Sequence, residues 1–470
     1  MRSVTRIVGA LFLLAGICFA QVANQLITIS PNGHYLYNSI SGTPVYLTGE
    51  DGFLAMVELC SSDVMTYLND RASRGFNAIW MAPVDNVYSI HPPTNCNGTS
   101  PFDGADFTNF DSTYWAFVDS VVSAASVRGI TVFFNPAFVG FNSAQGYFAD
   151  YNGSVSGATW TAYGSFLGNR YKTANNIVWL IGGDTDLLNS TVATNIGLLA
   201  TAIAAADSNH LFTFEACRSG CSSGSNKSSI TAYGGSPPSW LKMNWSYDVQ
   251  SNVVTGCNLT YSQSSTILPL EGETWYELEQ SPAMTGANTR AEGYWSTLSG
   301  CFLGTLFGNG EIWPFSSPGG DLGTTPNWTT QLASVGSVSE QFLGQLMRSR
   351  RHWLMVPDTT NAILTGGISS GLTISVCAAA SDGSSAIVYD QSGSTNPPQI
   401  AMSHFSRTVH AWWYNPATAA TTDLGTFANS GTHTFTPADT NDWVLVLDLD
   451  SLGFPAPGQQ PTSTFSIGLI

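Results

Sequence analysis

Charge is what this sequence has least of. Asp, Glu, Lys and Arg together make up 10% of its 470 residues, where an average soluble chain carries about a quarter. Lys and Arg number only 15, and the net charge is −17. Such a surface repels nucleic-acid phosphates, anionic headgroups and polyanionic substrates, and too few cations remain for a basic patch to reverse this. Arg348, Arg350 and Arg351 do cluster, but at the end of an expected helix, where positive charge suits the dipole. Nucleic acid and membrane surfaces are therefore not expected partners.

Other absences narrow the chemistry. The cysteine spacings match no zinc motif, and Asp184-Thr185-Asp186 has no His or third acid at ligand spacing, so no metal is expected. No Gly-rich phosphate fingerprint follows the first strand, the GNG at 308–310 stands alone, and no cofactor is expected. A G-x-S-x-G elbow is missing, and His91, His210, His352, His404, His410 and His433 are scattered. Only one long apolar run exists, IVGALFLLAGICFA, too short to span a bilayer comfortably. Behind the basic start MRSVTR, and with small residues at Cys18 and Ala20, it reads as a secretory signal over residues 1–20. The expected destination is secreted or periplasmic, with no membrane association after cleavage and a monomeric state. Seven cysteines would follow the cleavage point. An odd count leaves at least one thiol unpaired, and Cys217 and Cys221 are close enough to bridge a loop.

From about residue 40 to 350, strand-like and helix-like segments alternate. PVYLTGED, FNAIWMAPV, ITVFFNPAF, NIVWLIGGD, LFTFEACRS, WLKMNWSYD, ILPLEGETW and CFLGTLFGNGEIW read as eight strands. Helical spacing of apolar residues separates them, as in Phe117, Val118, Val121, Val122 and Ala125. The last helix is expected over Ser337–Arg351, opened by a capping box of Ser337 with Glu340. Eight such units predict an α/β chain folded as a (β/α)₈ TIM barrel over residues 21–351; an open doubly wound sheet is the alternative. Beyond residue 352 come short strands broken by Gly, Pro, Asn and Ser, from LTISVCAAA to DWVLVLDL. These predict a C-terminal all-β sandwich over 352–450, followed by a Pro/Gly/Ser-rich tail over 451–470.

In a barrel the working residues stand at the C-terminal ends of the strands. Those ends supply Glu50 and Asp51, Asn86, Asn135, Asp184 and Asp186, Glu215, Asn244, Glu271 and Glu273, then Asn309, Glu311 and Trp313. In a chain so poor in charge, acids at these ends call for a role beyond solubility. Two carboxylates from opposite sectors of a barrel mouth suit glycosidic bond hydrolysis, one protonating the leaving oxygen while the other attacks carbon or activates water. Trp80, Trp275, Tyr276 and Trp313 flank the same ends and suit the apolar faces of sugars. The candidate substrate contacts are these four rings with Glu50, Asn135, Glu215, Asn244, Glu271 and Asn309. The expected partner is an oligo- or polysaccharide.

GTPVYLTGEDGF, RASRGFNAIW, FLGNRYKTANNIVWLIGGD, LEGETWYE and AEGYWSTLSGCFLGTLFGNGEIW resemble successive motifs of the apiosidase-like glycoside hydrolase family. DWVLVL resembles the closing strand of the β-module often attached to it and described as collagen-binding. The resemblance implies a barrel with the strand-four aspartate as acid/base and the strand-seven glutamate as nucleophile, which fall on Asp184 and Glu273. The chain departs from the family at Gly49-Glu50, where Gly-Asp is usual, at Glu271-Gly272-Glu273, where Asp-Gly-Glu is usual, and at Glu215, where the family usually carries a His. The resemblance does not fix apiose as the sugar. A secreted glycoside hydrolase is the leading reading. A non-catalytic carbohydrate- or matrix-binding protein on a barrel scaffold is the alternative, disfavoured by the presence of both Asp184 and Glu273.

Overall fold

The computed structural model describes residues 25–140, 142, 144–218, 228–315 and 327–460. The expected signal segment and residues 461–470 of the expected tail lie outside them. No helix among the described residues is long and apolar enough to cross a membrane.

Eight parallel strands form one sheet: β1 (Leu47–Asp51), β2 (Ala78–Met81), β3 (Thr131–Phe134), β4 (Ile177–Thr185), β5 (Leu211–Ala216), β6 (Met243–Tyr247), β7 (Leu268–Glu273) and β8 (Gly304–Phe307). After each comes a helix: α1 (Ser61–Ser73), α2 (Ser112–Ser126), α3 (Gly157–Tyr171), α4 (Ser190–Ala206), the single turn α5 (Ser229–Ala232), α6 (Asn252–Gln263), α7 (Gly286–Leu298) and α8 (Val335–Arg348). The strand order is β5-β4-β3-β2-β1-β8-β7-β6. An open sheet would leave β5 and β6 at opposite edges. Here they meet: Lys242 N–H donates to the Phe212 carbonyl at 3.0 Å, and the Thr213 hydroxyl donates to the Met243 carbonyl at 3.0 Å. The fold is the (β/α)₈ barrel.

Runs such as TVFF and IVWLI form these strands because both faces of a parallel barrel sheet are covered, so no polar alternation is required. Inside, the ring of Trp245 meets Trp80 at 5.6 Å and Phe133 at 6.3 Å. Asp111, Ser156 and Asn189 cap α2, α3 and α4 by accepting first-turn amides. At α8 the expected cap is displaced. The helix begins at Val335, and its cap is Ser334, which accepts from Ser337 N–H. Glu340 does not turn back to the helix start, because it is buried against β8 and accepts from the Thr305 hydroxyl at 2.6 Å.

The C-terminal part holds a six-stranded antiparallel sheet, in the order Met355–Pro357, Val376–Ala380, Ser385–Asp390, Trp443–Leu449, Val409–Tyr414 and Thr421–Phe427. A three-stranded sheet of Leu364–Gly366, Gln399–Ala401 and Thr432–Thr434 accompanies it. The two-residue period of a strand explains how the larger sheet is covered twice. Leu445 and Leu447 pack with Ile400 of the smaller sheet and with Phe435 just past its last strand. Val444 and Val446 share a core with Tyr294, Trp295, Leu343 and Leu346 of α7 and α8.

The β-module is thus seated on the barrel through a common core. Tyr294 stacks on Tyr389 at 4.8 Å, and Arg290 makes a two-pronged contact with Asp442 at 2.7 and 2.8 Å. Only Arg348 of the arginine cluster sits in the last turn of α8. Arg350 instead donates to Asp448 through Nε at 2.8 Å and Nη2 at 2.7 Å, with both side chains buried. Arg351 pairs with Asp382 at 2.5 Å. Asp448→Ala would leave the Arg350 guanidinium buried without its counter-charge, and should cost about 3–5 kcal/mol in denaturant unfolding. A loss under about 1 kcal/mol, the size of a surface pair, would mean that this contact is not the buried pin described.

Disulfides join Cys60 to Cys96 and Cys257 to Cys301. Cys217 is also disulfide-bonded, and the expected partner Cys221 lies outside the described residues. Cys377 is a buried free thiol.

Candidate active site

The stretch NIVWLIGGDTD forms β4 and the turn beyond it. Gly182, Gly183 and Asp184 have φ of 95°, 119° and 48°. A Cβ on Gly182 would lie 2.6 Å from the Glu215 carbonyl, and one on Gly183 would lie 2.5 Å from the Phe138 ring. Only glycine fits both the space and the left-handed backbone there. The β4–β5 register slips between Gly182 and Thr185, and the chain steps outward. Asp184 lands on the rim in a conformation that a non-glycine residue seldom adopts.

On β7 the device is a bulge. In a regular strand Glu271 and Glu273 would share a face, but the register shifts between them. Glu271 rests on the helix side against the Cys257–Cys301 disulfide. Glu273 enters the mouth. Gly272 carries the kink over the Trp245 ring, where a Cβ would lie 2.0 Å from the indole.

These strand ends surround a cavity of about 290 Å³. Asp51, Asp184 and Glu273 line it, with Trp80, Trp275, Tyr276 and Trp313 as aromatic walls. One carboxylate oxygen from each of Asp184, Glu215 and Glu273 lies within 4.8 Å of the others. The Tyr276 hydroxyl donates to Asp51 Oδ2 at 2.6 Å, and Trp313 Nε1 donates to Glu279 Oε1 at 2.7 Å.

Six of the twelve candidate catalytic and substrate-contact residues line this cavity: Asp184, Glu273 and the four aromatics. The other six do not. Glu50 faces α1, where it accepts from Arg71 at 2.7 Å and Tyr67 at 2.6 Å. Asn244 faces the helices, accepting from Ile230 N–H at 3.1 Å and donating to Gln263 at 3.0 Å. Glu271 is turned outward by the bulge. Asn309 ties loops together by donating to Glu277 at 3.2 Å. Asn135 is buried and donates to the Gly182 carbonyl at 3.3 Å, steadying the β4 crossing. Glu215 is inside the barrel but fully buried, beneath the two rim acids.

Four more residues in the wall were not among the candidate contacts: Asp51, which the strand ends did supply, and Tyr247, Arg218 and Glu279. For Asp51 a signal existed. Glu50 and Asp51 are neighbours on one strand, so only one can point into the barrel, and Arg71 on α1 claims Glu50.

The electrostatics follow from burying acids together. Burial pushes the Asp184 carboxyl up to about 6, with Arg218 pulling the other way. Burial pushes Asp51 up to about 8 against the Tyr276 hydrogen bond. Glu273 is raised well above the usual carboxylate range by burial and by the Asp184 charge, with the neighbouring Glu215 and Tyr247 side chains pulling the other way. Glu215 is raised well above the usual carboxylate range by burial and by the Glu273 charge. Such a set can hold one carboxyl protonated beside one ionised, which is what acid/base chemistry at an acetal requires.

Residues 30–354 match the family described as "Apiosidase-like, catalytic domain". Residues 359–448 match "Putative collagen-binding domain of a collagenase". A solved structure described as "Glycoside hydrolase" is 25% identical, with a TM-score of 0.78 over 91% of this chain and 98% of its own. A glycoside hydrolase family 5 protein from Bacteroides vulgatus ATCC 8482 is 23% identical, with a TM-score of 0.79 over 91% of this chain and 94% of its own. No curated protein matches the chain.

Proposed function

The chain belongs to the apiosidase-like family of glycoside hydrolases, and from that premise we propose that it is an exported enzyme that cleaves neutral plant or microbial polysaccharide with retention of configuration. Asp184 is the acid/base and Glu273 the nucleophile. The observation that carries this reading is their closeness: one oxygen of each carboxylate lies within 4.8 Å of the other across the cavity, on the short side of the two classes of pair. Retaining pairs stand about 5–5.5 Å apart, whereas inverting pairs need about 6.5–9.5 Å to admit a water.

In the first step the Asp184 carboxyl gives its proton to the glycosidic oxygen while a Glu273 oxygen attacks the anomeric carbon. The C–O bond to the leaving group breaks and a glycosyl ester forms. Asp184, now a carboxylate, then takes a proton from water, which attacks the same carbon and releases Glu273. Trp275 and Trp313 offer faces for sugar rings. Asp51 Oδ1 is buried in the wall without a hydrogen-bond partner among the described residues and suits a sugar hydroxyl. A neutral substrate fits a mouth lined by Asp51, Asp184, Glu273 and Glu279, since a polyanion would be repelled. Export rests on the basic start and apolar run of residues 1–20.

The test is incubation with neutral pectic and hemicellulosic polymers, reading the anomer of the first-formed sugar by proton NMR. Release of sugar with the substrate's own anomeric configuration is expected. A first-formed product of the opposite configuration would overturn the retaining scheme.

A further inference from the structure

Glu215 lies beside the reacting pair, and the scheme above leaves it without work. It stands on β5, fully buried, below Asp184 of β4 and Glu273 of β7. Its Oε1 accepts from the Asp184 backbone N–H at 3.4 Å. Among the described residues its Oε2 has no hydrogen-bond partner, and neither has Glu273 Oε2, though both atoms are buried. Two acceptor-only oxygens thus lie unpartnered on side chains that approach one another within 4.8 Å. A carboxylate can only accept, so both orphans stay unsatisfied while both acids are ionised. One proton between them satisfies both.

The surroundings decide which acid keeps it. The charged and titratable groups acting on this cluster are Asp184, Tyr247, Asp51 and Arg218. Tyr247 also donates to Glu273, and that bond favours the ionised form of Glu273. Among the described residues Glu215 receives only the weak amide bond, and no cation pairs with it. Arg218 acts on Asp184.

We propose that Glu215 is a protonated carboxylic acid that donates a hydrogen bond to Glu273, a positioning residue that keeps the nucleophile ionised and aimed at the anomeric carbon. It touches no substrate and takes part in no proton transfer. Of the three clustered acids it holds the proton that is last to leave, and the cluster titrates as a unit. The active form carries protons on Glu215 and Asp184 and none on Glu273. The proposal rests on the reading of Asp184 and Glu273 as the catalytic pair.

The experiment compares Glu215→Gln with Glu215→Ala. The glutamine amide still donates, and it matches a neutral acid in charge. Glu215→Gln should keep kcat within about threefold and leave the pH profile in place. Glu215→Ala removes a hydrogen bond to a charged group, and should lower kcat roughly 10- to 100-fold with little change in KM. Its acid limb should move to higher pH, because Glu273 then binds its own proton more tightly. Were Glu215 ionised instead, Glu215→Gln would delete a negative charge beside Asp184 and move the alkaline limb to lower pH; that result overturns the proposal. So does equal damage by Gln and Ala, or activity that divalent cations restore and chelator removes, since a cation would then be what relieves the three acids.

A second readout needs no turnover. The infrared spectrum of wild type minus Glu215→Gln at pH 7 should show the carbonyl band of a protonated carboxyl, and its absence sinks the idea. Failure of the parent reading looks different, because Glu273→Ala would then stay active whatever the infrared band shows.

Discussion

Glu273→Gln is expected to reduce turnover by roughly 10⁴-fold or more on every substrate, activated or not. Loss of a covalent nucleophile removes the reaction path rather than one stabilising contact, and single knockouts of this kind cost about 10⁴- to 10⁶-fold. The amide is nearly isosteric with the carboxylate and accepts the same place beside Tyr247. Substrate binding should therefore survive, with KM or the dissociation constant changed only a few-fold. Glu273→Ala opens space where the carboxylate stood. With an activated aryl glycoside, added azide should enter that space from the face the nucleophile used and give a glycosyl azide of inverted configuration. Calorimetry of binding and NMR of the azide product check both statements. Residual activity within about tenfold of wild type would remove Glu273 from its role, and an azide of retained configuration would reassign it to the acid/base position.

The barrel was readable because its strands are short apolar runs at regular spacing and its helices show their own period, both signals local in sequence. What escaped depended on one-residue displacements that have no local signature. Glu50 and Asp51 are adjacent, and the choice between them turns on Arg71, which lies far along α1 and pairs with Glu50 at 2.7 Å. Glu271 and Glu273 have the same parity, so only the bulge between them separates a residue turned toward the helices from one in the mouth. The bulge was foreshadowed by Gly272, but the reason for that glycine is the indole of Trp245 from the neighbouring strand. The aromatics were easier. A tryptophan at a strand end has few places to go except across the mouth, and Trp80, Trp275 and Trp313 all line it. Arg350 shows the opposite case. Its position at the end of the expected helix suggests a charge that complements the dipole, and only the packing of the β-module turns it into a buried ion pair with Asp448.

Asp184→Asn should separate substrates by their leaving groups. On polymer, whose alkoxide leaves poorly, protonation is essential, and general acid catalysis contributes typically 10²- to 10⁴-fold; a loss of that size is expected. An aryl glycoside whose phenolate leaves readily needs little help in the first step, so formation of the glycosyl ester should stay close to the wild-type rate and appear as a burst. Hydrolysis of the ester then stalls for want of a base. Azide, which needs none, should accelerate turnover and give a product of retained configuration, the opposite outcome to that of Glu273→Ala. The pH profile supplies the independent check. Burial pushes the Asp184 carboxyl up to about 6, so wild-type activity on polymer should fall as pH rises through about that value, where the acid loses its proton. Glu273 must be ionised, which sets the fall on the acid side. In Asp184→Asn the alkaline fall should vanish for the aryl glycoside while the acid-side fall remains, since only Glu273 still titrates in the first step. An unchanged alkaline limb in the variant would show that another group carries the proton, and Asp51, pushed up to about 8 in the same wall, would be the next residue to replace.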